Sequence, residues 1–290
     1  DLHSFPTRRS SDLHIGANRG VVMATGGFEA NADMQRNYFG LADVAPLGTP
    51  HNTGEGIKIL QKAGADLWHL RNKGQSGGIW PGFRPDGYAN GFLRTFFWQS
   101  FSWIEIDANS ERFYNETAEL QLTHYKEKKH GQWIETPHYR AQPVHMIFDS
   151  LTCRHNKLVT EVMSWNPVVR GYRWSEDNSS EIAKGWIVQA DSIEELAAKI
   201  GRDPAVVKAT VDRYNAACTS KVDDDFARNP DTLMPIAQGP FYAIRIDPVI
   251  VCTGGGARRN IKSEVLGHDG KPLPRLYYME IGRASCRERV

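Results

Sequence analysis

Gly20-Val21-Val22-Met23-Ala24-Thr25-Gly26-Gly27-Phe28 is the stretch whose reading decides the fold. Its first half reads as a short buried strand and its second half as a glycine turn. Without Cβ atoms at Gly26 and Gly27, the backbone after Ala24 and Thr25 can approach a dinucleotide closely. Alone the pattern is a weak signal, because glycine punctuates most folds.

Working outward, a helix is expected over 32–39, capped by Asn31 and stopped by Gly40. Thr53-Gly54-Glu55-Gly56 opens a second helix whose Ile57, Leu60 and Ala63 share a face and which ends at Gly64. Residues 74–101 are rich in glycine and aromatics without clean periodicity, which predicts packed loop. A strand follows over 103–107, then a turn at Ala108-Asn109-Ser110. Lys126-Glu127-Lys128-Lys129-His130 reads as a solvated charged face and 175–180 as a polar loop. Ser192 and Glu195 have the spacing of a capping box, and Asp203-Pro204 starts the next helix with proline where its missing N–H costs nothing. Residues 241–252 read as a strand region and Thr253-Gly254-Gly255-Gly256 as a second glycine turn. Val265-Leu266 and Leu276-Tyr277-Tyr278 read as strands joined through His268-Asp269-Gly270-Lys271. No internal repeat is present.

The two ends carry a separate message. Residues 281–290 can be back-translated as ATC GGA AGA GCG TCG TGT AGG GAA AGA GTG, and the complementary strand of that DNA encodes His-Ser-Phe-Pro-Thr-Arg-Arg-Ser-Ser-Asp, the residues at 3–12 in order. Folding imposes no such relation between termini, and the DNA resembles a common sequencing-library adapter. Residues 1–13 and 281–290 are therefore expected to be foreign to the fold. Setting them aside removes five arginines and three acids from 35 basic and 34 acidic side chains, so the net charge moves from +1 to −1. Nothing electrostatic then points to nucleic acid. Cys153, Cys218 and Cys252 show no C-x-x-C spacing, so no metal site or disulfide framework is expected and the three read as buried thiols. No apolar run approaches the roughly 18 residues of a membrane span. The cytoplasm is the expected compartment, although a signal peptide would lie upstream of residue 14.

The order and spacing of several modest motifs say more than any one of them. The strand over 21–28, the helix over 53–64, Arg112-Phe113-Tyr114-Asn115-Glu116, the helix over 192–201, the segment 210–215, Asp225-Phe226-Ala227-Arg228, Pro240-Phe241-Tyr242-Ala243, Gly255-Gly256 and Leu276-Tyr277 follow one another as they do in a known family. In that order the chain resembles the FAD-dependent fumarate reductase and 3-ketosteroid dehydrogenase flavoproteins. The resemblance implies an α/β fold: a partial Rossmann-like FAD-binding domain with an inserted α+β capping domain. It assigns 14–72 and 247–280 to the FAD domain and 73–246 to a mobile cap. FAD is the implied cofactor, with Ala24, Thr25, Gly26, Gly27, Thr53, Gly54, Gly56, Gly255 and Gly256 around it. The G-x-G-x-x-G fingerprint of the family does not occur in the chain and would lie upstream of Leu13. The family's final Leu-Tyr-x-x-Gly-Glu reads here Leu276-Tyr277-Tyr278-Met279-Glu280, with a splice at Glu280. The resemblance thus implies a fragment of a longer enzyme, inactive by itself.

Enzymes of this kind move hydride between a flavin and a carbon next to an activating carbonyl, with a proton donor or acceptor at the neighbouring carbon. Aligned on Arg112 to Glu116, the proton-donor arginine of fumarate reductases falls at Leu120. The substrate-binding Thr-Glu and Arg fall at Thr95, Phe96 and Gln99, and a carboxylate-clamping histidine falls at Cys252. Only the threonine is kept. A dicarboxylate needs paired cations when desolvated, so fumarate reduction is disfavoured. The same region is aromatic instead, with Trp80, Phe83, Tyr88, Phe92, Phe96, Phe97, Trp98, Phe101 and Trp103. Such rings suit a flat apolar ketone or enone, although capping-domain core is the commoner fate of any single one. Trp80, Phe83, Thr95, Phe96 and Gln99 are the candidate substrate contacts. Tyr242, His124 and Tyr125 are the candidate proton donors, and Gly255 and Gly256 can offer N–H groups to a developing enolate. Arg112 and Glu116 are expected to form a structural pair and Arg228 to anchor the cap.

Two alternatives remain: a reductase of another unsaturated acid, and a carbohydrate- or aromatic-binding module built on the Trp-rich segment. They differ in geometry from the flavoprotein reading. A flavoprotein requires the 21–27 strand to share a sheet with the strands at Val265 and Tyr277.

Overall fold

The computed structural model describes residues 16–40, 44–71, 79–117, 126–129, 132–135, 142–160 and 171–279. In chain order its elements are β1 (Val21–Met23), α1 (Ala32–Met34) running into a π-helical turn (Gln35–Phe39), β2 (Ala45–Pro46), α2 (Glu55–Lys62), β3 (Leu67–Trp68), β4 (Ile79–Phe83), β5 (Phe92–Leu93), β6 (Trp103–Ile106), β7 (Lys126–Lys129) and β8 (Gln132–Glu135). Then come β9 (Val144–Asp149), α3 (Ser150–His155), α4 (Ser179–Ala183), β10 (Ile187–Ala190), α5 (Ile193–Lys199), α6 (Pro204–Ser220), β11 (Phe241–Ile250), β12 (Gly256–Ala257), β13 (Glu264–Leu266) and β14 (Pro272–Tyr278).

The first turn region and the last strands meet in one three-stranded sheet, ordered β1-β14-β13. β1 runs parallel to β14, with Val22 opposite Tyr277. This is the arrangement the flavoprotein reading requires. β1 lies at the edge of that sheet, so Val21 and Val22 are exposed instead of buried as the apolar run suggested.

β11 organises the other sheet. Its first six residues pair with β9, from Phe241 opposite Asp149 to Ile246 opposite Val144, and its last four pair with β4, from Asp247 opposite Gly82 to Ile250 opposite Ile79. β10 and β2 also pair along it. Even-numbered positions of β9 and β11, including Met146, Phe148, Tyr242 and Ile244, face an aromatic-rich core with Phe83, Phe92, Trp103 and Trp174. Ile147 and Ala243 face a second core under α5 and α6. Both faces of the sheet are covered, so β6 is buried along its whole length and shows none of the expected half-exposed alternation.

Local signals explain the helices. The Asn31 side chain accepts from the Met34 N–H and Gly40 closes the turn at φ +67°. The Asp203 carboxylate accepts from Ala205 and Val206 N–H, with Pro204 in the first turn. Val207, Val211, Tyr214 and Cys218 then form one buried stripe along α6. Ser192 accepts from the Glu195 N–H, but Glu195 reaches back to the Asp191 N–H, one residue beyond the expected partner. In α2, Ile57 and Leu60 are buried as expected, whereas Ala63 is exposed. One loop expectation fails, since residues 79–83 and 92–93 are strands of the large sheet. The polar loop is present over 175–178 and then enters the helical turn Ser179–Ala183. Lys126–Lys129 is a strand paired with Gln132–Glu135.

Candidate functional site

Three loops converge beyond the C-terminal end of β1. They are the 24–28 turn, the 52–56 loop that enters α2, and the 253–256 turn that follows β11. Gly26 and Gly54 adopt φ of +73° and +84°, a region open to glycine at little cost. The remaining glycines are needed because the loops pack on one another. A Cβ at Gly27 would strike Thr253, one at Gly56 would strike Thr25, one at Gly255 would strike the Leu70 backbone, and one at Gly256 would strike Tyr278. The Cβ direction of each therefore points into protein. The side away from these contacts is what remains for a ligand.

The three loops carry unused donors. Gly27, Gly54 and Gly255 are buried, and among the described residues their N–H groups donate to no acceptor. Buried backbone donors are almost always paired, so three that meet no acceptor among the described residues, on three adjoining loops, fit an oxygen-rich ligand seated between them. The N-terminus of α2 adds its partial positive charge at Gly54. A dinucleotide's oxygens match this donor set. Among the described residues no group of three His, Cys, Asp or Glu side chains could hold a metal.

Glu29 sits at the centre of the three loops. It is 3% exposed. Its Oε1 accepts from Asn52 Nδ2 at 2.6 Å and its Oε2 accepts from Thr253 Oγ1 at 3.4 Å. Thr253 Oγ1 in turn accepts from the Phe28 N–H at 3.2 Å, and the Glu29 carbonyl accepts from Gln35 Nε2. Burial pushes the Glu29 carboxyl above its ordinary range, against the lowering effect of these hydrogen bonds. Neither Glu29 nor Asn52 stood out in the sequence. An acid directly after Gly26-Gly27-Phe28 was the available signal.

The candidate substrate residues separate into two groups. Trp80 lies opposite Val249 on β11, four residues before Thr253, and its ring faces Phe96 at 6.5 Å. Phe96 lies against Phe97 at 4.3 Å with the rings tilted, and Phe97 is 63% exposed. Val251 packs on the same cluster. An aromatic shelf thus leads from β4 toward the 253–256 turn. Thr95 supports it from beneath: its N–H donates to the Leu158 carbonyl and its hydroxyl accepts from the Phe97 N–H. Gln99 is exposed, with its N–H donating to Asn156 Oδ1.

Phe83 and Tyr242 do not join this site. Phe83 is buried and stacks on Trp174 at 5.4 Å. Tyr242 is buried against Phe148, with Cys153 nearby. Eight residues of extended strand, roughly 26 Å, separate Tyr242 from Ile250. The Tyr242 phenol is packed into the far half of the sheet, away from the glycine turn. His124 and Tyr125 lie outside the described residues. Cys252 is half-buried, and Cys153 and Cys218 are buried.

The expected structural pair is present and larger than the spacing suggested. Arg112 binds Glu116 through two hydrogen bonds of 2.7 and 2.8 Å and binds Asp223 through two more. Arg228 is buried and donates to the Phe101 and Trp103 carbonyls. A second buried group, Arg94 with Glu105 and Tyr114, lies under the shelf and was not anticipated. A separate cavity of about 700 Å³ opens beside Arg84, Tyr88 and Gln142, where Arg245 already pairs with the buried Asp247 at 2.8 Å.

Residues 4–278 match the FAD binding domain family. An NADH:fumarate oxidoreductase of Klebsiella pneumoniae is 30% identical over 265 residues, covering 89% of this chain and 24% of that protein. A 3-oxosteroid 1-dehydrogenase of Mycobacterium tuberculosis is 28% identical over 287 residues, covering 91% and 47%. A 3-ketosteroid Δ1-dehydrogenase structure from Sterolibacterium denitrificans superposes with a TM-score of 0.66 at 23% identity, covering 92% of this chain and 48% of that one, which speaks to the fold. The chain spans about a quarter to about half the length of the curated relatives it matches.

Proposed function

The chain belongs to the FAD binding domain family, and from that premise we propose that it is part of a flavin-dependent oxidoreductase acting on a C–C bond next to a carbonyl in a flat, apolar ketone or enone. The observation that carries the substrate class is the Trp80–Phe96–Phe97 shelf, which packs along the strand end around Val249 and Val251 that leads into the glycine turn. Half-exposed rings in that place favour a substrate held by burial and stacking.

FAD, when bound, exchanges a hydride with the substrate carbon. The chain's own contribution is positional and electrostatic. Gly27 and Gly54 offer N–H donors to the cofactor, and Gly255 offers one toward the cofactor or the substrate carbonyl, where a preformed donor stabilises developing negative charge. The shelf excludes water from the apolar face of the substrate. Proton transfer falls to His124 or Tyr125, since Tyr242 is committed to the core. In this reading 14–72 and 247–280 build the cofactor side and 73–246 the cap. No helix among the described residues is long and apolar enough to cross a membrane.

A second reading, reduction of an unsaturated acid, is favoured by the similarity to the NADH:fumarate oxidoreductase. One experiment separates the two. The gene carrying this sequence, expressed with its flanking coding sequence, is assayed with artificial electron dyes against a 3-ketosteroid, a simple cyclic enone and fumarate. Turnover of the ketones without fumarate supports the proposal, and fumarate turnover alone overturns it.

A further inference from the structure

We propose that Glu29 is the positioning residue of the cofactor site: a buried latch whose single carboxyl fastens the 24–28 turn, the 52–56 loop and the 253–256 turn into the arrangement that receives FAD. The inference rests on the FAD reading of these loops.

The geometry has three parts. Each carboxyl oxygen serves a different loop, Oε1 through Asn52 and Oε2 through Thr253. Thr253 relays the contact to the Phe28 N–H, so the 24–28 turn is fixed at its backbone as well as at the Glu29 side chain. The loops are also in steric contact, because Gly26 abuts Asn52 and Gly27 abuts both Thr253 and the Glu29 carboxyl. Glu29 therefore lies where a shift of any loop is felt by the other two.

Among the described residues Glu29 forms no ion pair, and the largest influences on its carboxyl are burial and hydrogen bonds from Asn52, Thr253 and the backbone. A buried acid without a cationic partner is costly to keep for fold stability alone, since an apolar side chain of the same size would fill the space without desolvating a carboxyl. What the acid offers in return is two acceptors aimed at two different loops. The orphaned N–H groups of Gly27, Gly54 and Gly255 lie one on each of the loops so fastened. Their spacing is what the latch sets.

The test uses hydrogen exchange on the purified chain without added cofactor, and FAD titration by flavin fluorescence. Glu29→Ala is expected to speed exchange about tenfold or more at amides of all three loops together, because local opening free energy is lost in each. Glu29→Gln, which keeps an acceptor and the side-chain volume, is expected to restore protection to within about threefold of the parent. Asn52→Leu supplies a second variant should the alanine chain fail to fold, and it should loosen the 24–28 and 52–56 loops. Faster exchange confined to the turn containing the substitution overturns the latch. In the protein that binds FAD, Glu29→Ala should weaken the cofactor at least about tenfold with Gln rescuing it, and an unchanged Kd in the alanine variant would also overturn the proposal. If the unsubstituted protein expressed with its flanking coding sequence takes up no FAD, the cofactor reading falls while exchange still decides the latch.

Discussion

Arg112 holds Asp223, 111 residues further along the chain, through two hydrogen bonds of 3.1 and 3.0 Å, while its other edge holds Glu116. The guanidinium is also flanked by the rings of Tyr214 and Phe226. One side chain thereby ties the turn after β6 to the C-terminal end of α6.

Removing that tie leaves buried Asp223 without its guanidinium partner and Glu116 with Arg228 alone, 3.5 Å away. Arg112→Met is expected to cost about 3–5 kcal/mol, read as a lowered urea midpoint. Burial works to raise the Asp223 pKa, but Arg112 outweighs it and holds the group below its ordinary range. That stability is present above the ordinary aspartate value and is lost as pH falls through the folded one. A loss below about 1 kcal/mol in the methionine variant would mean that the network contributes little.

His145 adds a second acid-sensitive element of a different kind. Burial, with Arg202 and Arg245 nearby, lowers its pKa to about 4. The folded state therefore keeps the ring neutral while the unfolded chain accepts a proton near pH 6.5. Its contribution is intact above that pH and declines as pH drops toward about 4, by at most about 3 kcal/mol. His145→Gln retains an acceptor for Arg202 and should flatten the pH 4–6.5 limb of the melting profile. An unaltered limb would assign the acid lability elsewhere.

The two candidate aromatics at opposite ends of the sheet should respond in opposite ways. Phe97→Ser, at an exposed ring, should leave the melting temperature within a degree or two and raise KM for an apolar ketone about fivefold or more. Tyr242→Phe should leave turnover unchanged and cost about 1 kcal/mol through the loss of its hydroxyl. A large fall in kcat for Tyr242→Phe would return that residue to the chemistry.

Arg275 sits within β14 at φ +58°, directly after Pro274, in a conformation that suits glycine. Its guanidinium donates to the Asn18 carbonyl at 3.3 Å on the surface. Arg275→Gly should stabilise the chain by about 1 kcal/mol, whereas Arg275→Ala keeps the strain, loses the contact and should be less stable than the parent. Equal melting temperatures for the glycine and alanine variants would dismiss backbone strain at this position.

How much of this was readable in advance depends on how local each feature is. Asn31, Gly40, Asp203 and Pro204 announce helix ends because their partners lie within four residues. Arg112 and Glu116 are four residues apart and could be paired on spacing, but Asp223 could not. β4 was hidden because Pro81 and Gly82 break the strand pattern. Gly82 is there because the Val249 side chain and the Phe92 carbonyl occupy the place of its Cβ, a reason that lies in two other strands. Glu29 was missed on the same ground: its role comes from Asn52 and Thr253, and nothing beside it in the chain reveals them. The edge position of β1 likewise follows from pairing order and leaves no mark on Val21 or Val22.

β11 changes partners between Ile246 and Asp247 without a break in the strand. Its first half is woven into the aromatic core and its second half into the ladder that ends at the glycine turn. Ten residues of continuous strand, roughly 33 Å, make a girder common to both regions. Neither can melt without stripping hydrogen bonds from the other, so heat should take them apart in a single cooperative step. Any movement of one region against the other has to be absorbed as twist along that girder, since no break interrupts the strand.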